Sequence, residues 1–184
     1  MSERSASSDW WTPRALFDAL HSEFHFTLDA AADAENALCT RYIGPPESVP
    51  DDYRIERLGR MGTCVGEDGL KCRWSGERVF CNPPYGGQEG QWVLKAYQEV
   101  YLYPNGADLV VLLLPVKTGM GWFHAAIWRE DVHAPRKGVE VRFLKGRQAF
   151  EGPMNPAGES ARFESMVVVM RPVPHVGCPP KEDE

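Results

Sequence analysis

Val79-Phe80-Cys81-Asn82-Pro83-Pro84-Tyr85-Gly86 is the stretch from which the fold is read most directly. Val79 to Cys81 is apolar, with charge before it and turn residues after it, which predicts a short buried strand. Asn82 follows at once, and two prolines end the strand. They fix two φ angles and donate no N–H, so the Asn82 and Pro83 carbonyls are expected in a rigid, open loop. An amide oxygen, a neighbouring carbonyl and the flat ring of Tyr85 at a strand end can hold a planar amino group, with the acceptors on its N–H bonds and the ring over its face. The same letters also fit a plain Asn-Pro turn with Tyr85 on the surface, so the rest of the chain bears on the choice.

Downstream, Trp92, Val93, Ala96, Tyr97, Val100 and Tyr101 recur at helical spacing to about Tyr103, and Pro104 stops the helix. Trp92 reads as a packing residue. Asp108 to Leu114 is a continuous apolar run after its first residue, as expected of a strand buried on both faces of a parallel sheet. Pro115 ends it, Lys117-Thr118-Gly119 turns, and Trp122 to Arg129 predicts a helix. Val139 to Leu144 alternates as a half-exposed strand, Lys145-Gly146-Arg147 turns, and Ser165 to Arg171 is a last apolar strand. Upstream, Thr12 suits a helix N-cap and Pro13 the first helical position, with Leu16, Phe17, Leu20 and Phe24 as the apolar stripe. Phe26 to Asp29 reads as a strand ending in an acid. This alternation of strands and helices predicts an α/β sheet with helices on both faces.

Residues 40–78 are the least regular, with Gly44-Pro45-Pro46 and glycines at 59, 62, 66 and 69, and are expected to form an insertion that touches the substrate. Residues 1–9 are polar and Ser-rich and read as disordered, and 172–184 read as a loose tail. That leaves 10–171 as one folded domain. At 184 residues and 43% hydrophobic, the chain can bury a real core. No run approaches the ~20 apolar residues of a membrane span, and the N-terminus lacks a signal-peptide core, so a cytoplasmic protein without membrane partners is expected. Five cysteines at irregular spacing do not make a disulfide framework. Cys39, Cys64, Cys72 and Cys81 are the only zinc set to consider, and without a Cys-x-x-Cys pair no metal is expected.

The net charge of −6 argues against a protein that simply coats nucleic acid. Arg136, Lys137, Arg142, Lys145 and Arg147 nevertheless form a local basic strip, which reads either as phosphate contacts or as a solvated loop. Thr12-Pro13 likewise has two readings: a plain helix start, or a helix N-terminus that takes a carboxylate. After Asp29, Ala30-Ala31-Ala32 allows close backbone approach where nucleotide folds place glycines. Asp29 can then pair with a cofactor ammonium, and Asp33 and Asn36 can reach ribose hydroxyls. The alternative is an Ala-rich helix capped by Asp33.

Taken in order, Trp11-Thr12-Pro13, Leu28-Asp29-x-Ala31-Ala32, Asn36, Asp68-Gly69-Leu70 with Trp74, Asn82-Pro83-Pro84-Tyr85-Gly86, Trp92 with Lys95-Ala96, Leu113-Leu114-Pro115, Trp122-Phe123 and Phe143-Leu144-x-Gly146-Arg147-x-x-Phe150 resemble the small phage-type DNA N6-adenine methyltransferases (Dam-like). The resemblance implies a Rossmann-like, S-adenosylmethionine-dependent methyltransferase fold with a mostly parallel sheet, double-stranded DNA as partner, and the cytoplasm of a bacterial host as location if the gene is phage-borne. By the same resemblance, Asn82, Pro83, Pro84 and Tyr85 form the catalytic loop, and Asp29 with Thr12 and Pro13 faces the amino-acid end of the cofactor. Asp33 or Asn36 would meet the ribose, and Asp68 the cofactor adenine. A flipped target base would stack on Tyr85, with Phe143 or Phe150 on its other face and Arg136, Lys137 and Arg147 toward DNA. Other planar amines (cytosine N4, an RNA base, a protein glutamine) and a non-catalytic DNA-binding module on the same scaffold are the alternatives.

Overall fold

A computed structural model describes residues 10–44, 54–55, 60–152, 155 and 159–173. The expectations for residues 1–9 and for the tail beyond Val173 lie outside the described residues. Seven strands make the main sheet: β1 (Leu28–Asp29), β2 (Arg41–Ile43), β3 (Thr63–Gly66), β4 (Arg78–Cys81), β5 (Leu109–Pro115), β6 (Val139–Phe143) and β7 (Ser165–Met170). Their order across the sheet is β6-β7-β5-β4-β1-β2-β3. The pairs β3–β2, β2–β1, β1–β4 and β4–β5 are parallel, while β7 runs antiparallel to both β5 and β6. The protein is thus α/β with a mostly parallel sheet, compatible with a Rossmann-like methyltransferase.

Alternation along the strands sends side chains to two separate cores. Leu28, Val79, Cys81, Val110, Leu112 and Leu114 pack on one face against Trp92, Val93 and Ala96 of α2 (Glu89–Tyr97) and Phe123 and Ala126 of α3 (Gly121–Ala126). Phe80, Val111, Leu113, Val167 and Val169 pack on the other against Phe17, Leu20 and Phe24 of α1 (Arg14–Phe24). All seven residues of β5 are buried, as the unbroken apolar run requires. The helix expected to reach Tyr103 continues past α2 as a π-helical stretch, Gln98–Leu102.

Three expectations need correction. Residues 40–78 are not wholly irregular: β2 and β3 lie there, and both join the main sheet. They are short, and Thr63 and Val65 of β3 face solvent, so no apolar run marked them. The helix expected over Trp122–Arg129 stops at Ala126, because Trp128–Arg129 pairs instead with Ala134–Pro135 in a two-stranded ribbon. Pro13, not Thr12, holds the N-cap position of α1, so it flanks the helix rather than opening it. The first helical N–H, that of Arg14, donates to Glu151 Oε1 at 3.1 Å.

Parallel pairing sets the ends of β1 to β5 at one edge of the sheet. The order reverses between β1 and β4: β2 and β3 follow outward on one side, β5 on the other. A crevice at the carboxyl ends of strands beside such a switch point is where α/β sheets bind ligands. Asp29 ends β1 and Asn82 directly follows β4, so both lie there.

Candidate active site

Asn82 is fixed from a distant part of the chain. Its Nδ2 donates to the Trp10 carbonyl at 2.8 Å, which turns Oδ1 the other way. The Tyr85 hydroxyl lies 2.7 Å from that Oδ1 and 3.2 Å from the Leu113 carbonyl on β5. Burial, with the charges of Cys81 and Glu89 adding to it, pushes the Tyr85 phenol well above its ordinary value. It therefore stays protonated and serves as a donor to these oxygens. The molecule thus has a protein O–H donor placed between two acceptors at the end of the central strands.

Around this point stands an aromatic wall. Tyr85 meets Phe150 and Phe163 edge-on, with centroids 5.8 and 5.4 Å apart, and Trp10 meets the same two rings edge-on. The segment carrying Trp10 is tied down by an antiparallel bridge between Trp11 and Glu151, 2.9 and 2.8 Å in its two hydrogen bonds. Cys81, just before Asn82, is fully buried. Burial first, and the Asp29 carboxylate second, raise its thiol well above the usual range, so it is no nucleophile.

The cofactor candidates gather at the ends of β1 and β3. Asp29 is 3% exposed, and its Oδ2 accepts the Leu38 N–H at 3.1 Å. Asp33 and Asn36 close a turn on each other: Asp33 Oδ1 accepts the Glu35 and Asn36 N–H groups, and Asn36 Oδ1 accepts the Asp33 N–H. The reading of this segment as an Ala-rich helix capped by Asp33 does not survive, since it is a turn. Asp68 follows β3 and accepts the Leu70 N–H and the Lys71 ammonium at 2.9 and 3.0 Å. Burial pushes its carboxyl up, but Lys71 and the two backbone donors outweigh this and hold it below the ordinary value. A Cβ on Gly69 would sit 2.1 Å from the Ala30 carbonyl, so glycine alone lets the Asp68 turn lie against the end of β1. Thr12 is buried, and Glu151 already occupies the N-terminus of α1 that was read as a carboxylate site.

The residues expected toward DNA are dispersed. Phe150 is fully buried against Tyr85, whereas Phe143 is 64% exposed at the end of β6 and shares its face with Val139 and Val141, away from Tyr85. Arg136 and Lys137 precede β6 and so lie at the opposite edge of the sheet from Asn82; Arg136 donates to the His124 carbonyl. Arg147 follows β6 at the Asn82 edge and is exposed, 3.5 Å from Glu164. Arg142, read as part of the basic strip, is engaged by Glu23 and Glu140. The four described cysteines are free thiols; Cys39 and Cys81 sit in the two opposite cores, and no metal-holding group of His, Cys, Asp or Glu occurs among the described residues.

The sequence reading missed Trp10, Phe163, Glu89 and Lys117. Glu89 left one signal, an acid in the first turn of a helix that begins two residues after a glycine pair. Trp10 and Phe163 left none, because their role appears only when distant segments meet.

A family model described as DNA N-6-adenine-methyltransferase (Dam) matches residues 2–53 and 61–177. The chain belongs to the Dam family. Comparison with curated proteins gives no match. Membership of the Dam family implies a DNA methyltransferase acting on DNA, and its match spans every strand of the main sheet. No described helix is long and apolar enough to cross a membrane.

Proposed function

We propose that the protein is a DNA N6-adenine methyltransferase with a Rossmann-like catalytic domain. The observation that carries this reading is the Asn82 side chain, locked by Trp10 so that its oxygen meets a donor at the switch point of a Dam-family chain. S-adenosylmethionine, when bound, supplies an electrophilic sulfonium methyl. The residues present suit it: a buried carboxylate, Asp29, for its ammonium, and the Asp68 turn lying on Ala30 for its adenine, with Asp33 or Asn36 toward the ribose.

The target adenine leaves the duplex at a cost of a few kcal/mol. Its amino N–H bonds donate to Asn82 Oδ1 and the Pro83 carbonyl, replacing the Tyr85 hydroxyl, and its face stacks on the Tyr85 ring. Pro84 keeps the loop stiff between acceptor and ring. Phe150 and Phe163 back the ring from the side. Phe143 and Arg147 contact the DNA outside the pocket. Acceptance of both N–H bonds draws the nitrogen lone pair out of conjugation, and the proton leaves after attack, so positioning and electrostatics supply the catalysis and no strong base is needed.

The test is to incubate the protein with unmethylated duplex and labelled cofactor, digest the DNA, and identify the labelled nucleoside by mass spectrometry. N6-methyladenine is expected. Bound cofactor with no labelled adenine on varied duplexes overturns the reading, and label in cytosine N4, RNA or a glutamine amide names the other acceptor.

A further inference from the structure

Glu89 opens α2 and is only 1% exposed, an expensive place for a carboxylate unless it is fully partnered. Its partners are all in the catalytic loop or beside it. Oε1 accepts the Gly86 N–H at 3.2 Å and the Lys117 ammonium at 2.6 Å, and Oε2 accepts the Gly87 N–H at 2.8 Å. Lys117 lies just past β5, the strand whose Leu113 carbonyl meets Tyr85. Gly86 and Gly87 have φ of 103° and 114°, with open space where a Cβ would sit. They are the natural pivots of the loop. When a base takes the place of the Tyr85 hydroxyl at Asn82 Oδ1, the tyrosine loses its shorter anchor, and among the described residues the side chain holding the two amides next to it is Glu89.

We propose that Glu89, paired with Lys117, is a positioning residue that keeps the Tyr85 ring in register with Asn82 while the target base is bound. This role rests on the methyl-transfer reading. A carboxylate is required because one group must accept from two N–H donors and an ammonium; a glutamine would turn its own N–H₂ toward one of them. Lys117 keeps the buried charge neutralised and ties the loop to β5.

Steady-state transfer to unmethylated duplex, cofactor calorimetry and NMR hydrogen exchange of the Gly86 and Gly87 amides test it together, on wild type, Glu89→Gln, Glu89→Asp and Lys117→Arg. Glu89→Gln is expected to lower kcat by ~10²-fold, the scale of a small misplacement of reacting groups, and to speed exchange of both amides. Cofactor Kd should stay within about twofold. Glu89→Asp, which keeps the charge but shortens the reach, should show the same pattern and decides the matter if Glu89→Gln does not fold. Lys117→Arg should retain most of the rate. Unchanged kcat in a folded Glu89 variant, or lost kcat with both amides still protected, overturns the proposal. An inactive wild type instead overturns the methyl-transfer reading, and the transfer role with it.

Discussion

Asn82 and Trp10 are 72 positions apart, yet the side-chain amide of one is held by the backbone carbonyl of the other at 2.8 Å. An amide oriented by its N–H₂ keeps its oxygen available in one direction. Asn82→Ala removes that acceptor and is expected to cut methyl transfer by ~10²-fold or more, with cofactor affinity unchanged by calorimetry. Retained transfer would take Asn82 out of the mechanism.

Tyr85→Phe separates ring from hydroxyl. It leaves a surface for stacking, frees Asn82 Oδ1, and removes the hydrogen bond that the phenol makes in the free protein. Stability in urea should fall by about 1 kcal/mol, with transfer within a few-fold of wild type, while Tyr85→Ala should lose transfer. The phenol's pKa is raised in the folded protein, so its contribution to stability is complete below the unfolded value of about 10 and is lost as pH rises further. Melting curves from pH 8 to 11 should converge for wild type and Tyr85→Phe at the alkaline end.

At the sheet margin, Arg142 on β6 binds Glu23 of α1 at 2.6 and 2.7 Å and Glu140 at 2.5 Å. The Arg142 hydrogen bond is the main reason the Glu140 carboxyl lies below its ordinary value, with burial opposing it and Arg171 adding to it. A depressed carboxyl pKa contributes stability above the unfolded value and loses it as pH falls through the folded one. Arg142→Met should therefore lower Tm more at pH 7 than at pH 3. An equal drop at both would show that the loss is one of packing on Phe24, over which the guanidinium lies at 5.1 Å.

Gly69→Ala places a methyl 2.1 Å from the Ala30 carbonyl and 2.6 Å from the Trp92 ring. Neither the strand end nor a packed indole moves readily, so a loss of about 1–3 kcal/mol in urea unfolding is expected, as for an overpacked core. Because the displaced turn carries Asp68, weaker cofactor binding should accompany it, and normal cofactor affinity would remove that turn from the site.

Arg147 and Phe143 are exposed at the Asn82 edge of the sheet, so their loss should leave stability within about 0.5 kcal/mol. Arg147→Gln is expected to weaken DNA binding and to reduce its salt slope by about 1, as for one phosphate contact. An unchanged slope would return Arg147 to the solvated surface.

The sequence made legible those parts that depend on neighbours along the chain. Val79–Cys81, Leu109–Leu114 and Met166–Met170 are unbroken apolar runs because strands buried on both faces need nothing else. The loop from Asn82 to Tyr85 stood out because two prolines after a strand have few other uses. Edge strands such as Thr63–Gly66 gave no such run, since half of their residues face water. Charge alone did not show surroundings: Arg136 and Arg142 look alike in sequence, but one donates to a backbone carbonyl and the other is held by two carboxylates. Glu89 was hidden because its value lies in which amides it meets.

The bridge between Trp11 and Glu151, with the Arg14 N–H held by the Glu151 side chain 137 positions away, has a consequence for the order of synthesis. A ribosome makes the Asn82 loop near mid-chain and reaches Glu151 only later. Until then the Trp11–Glu151 bridge beside Trp10 cannot form. The Asn82 motif is therefore made well before the Glu151 segment that bridges to Trp11 and before β7, which pairs with β5.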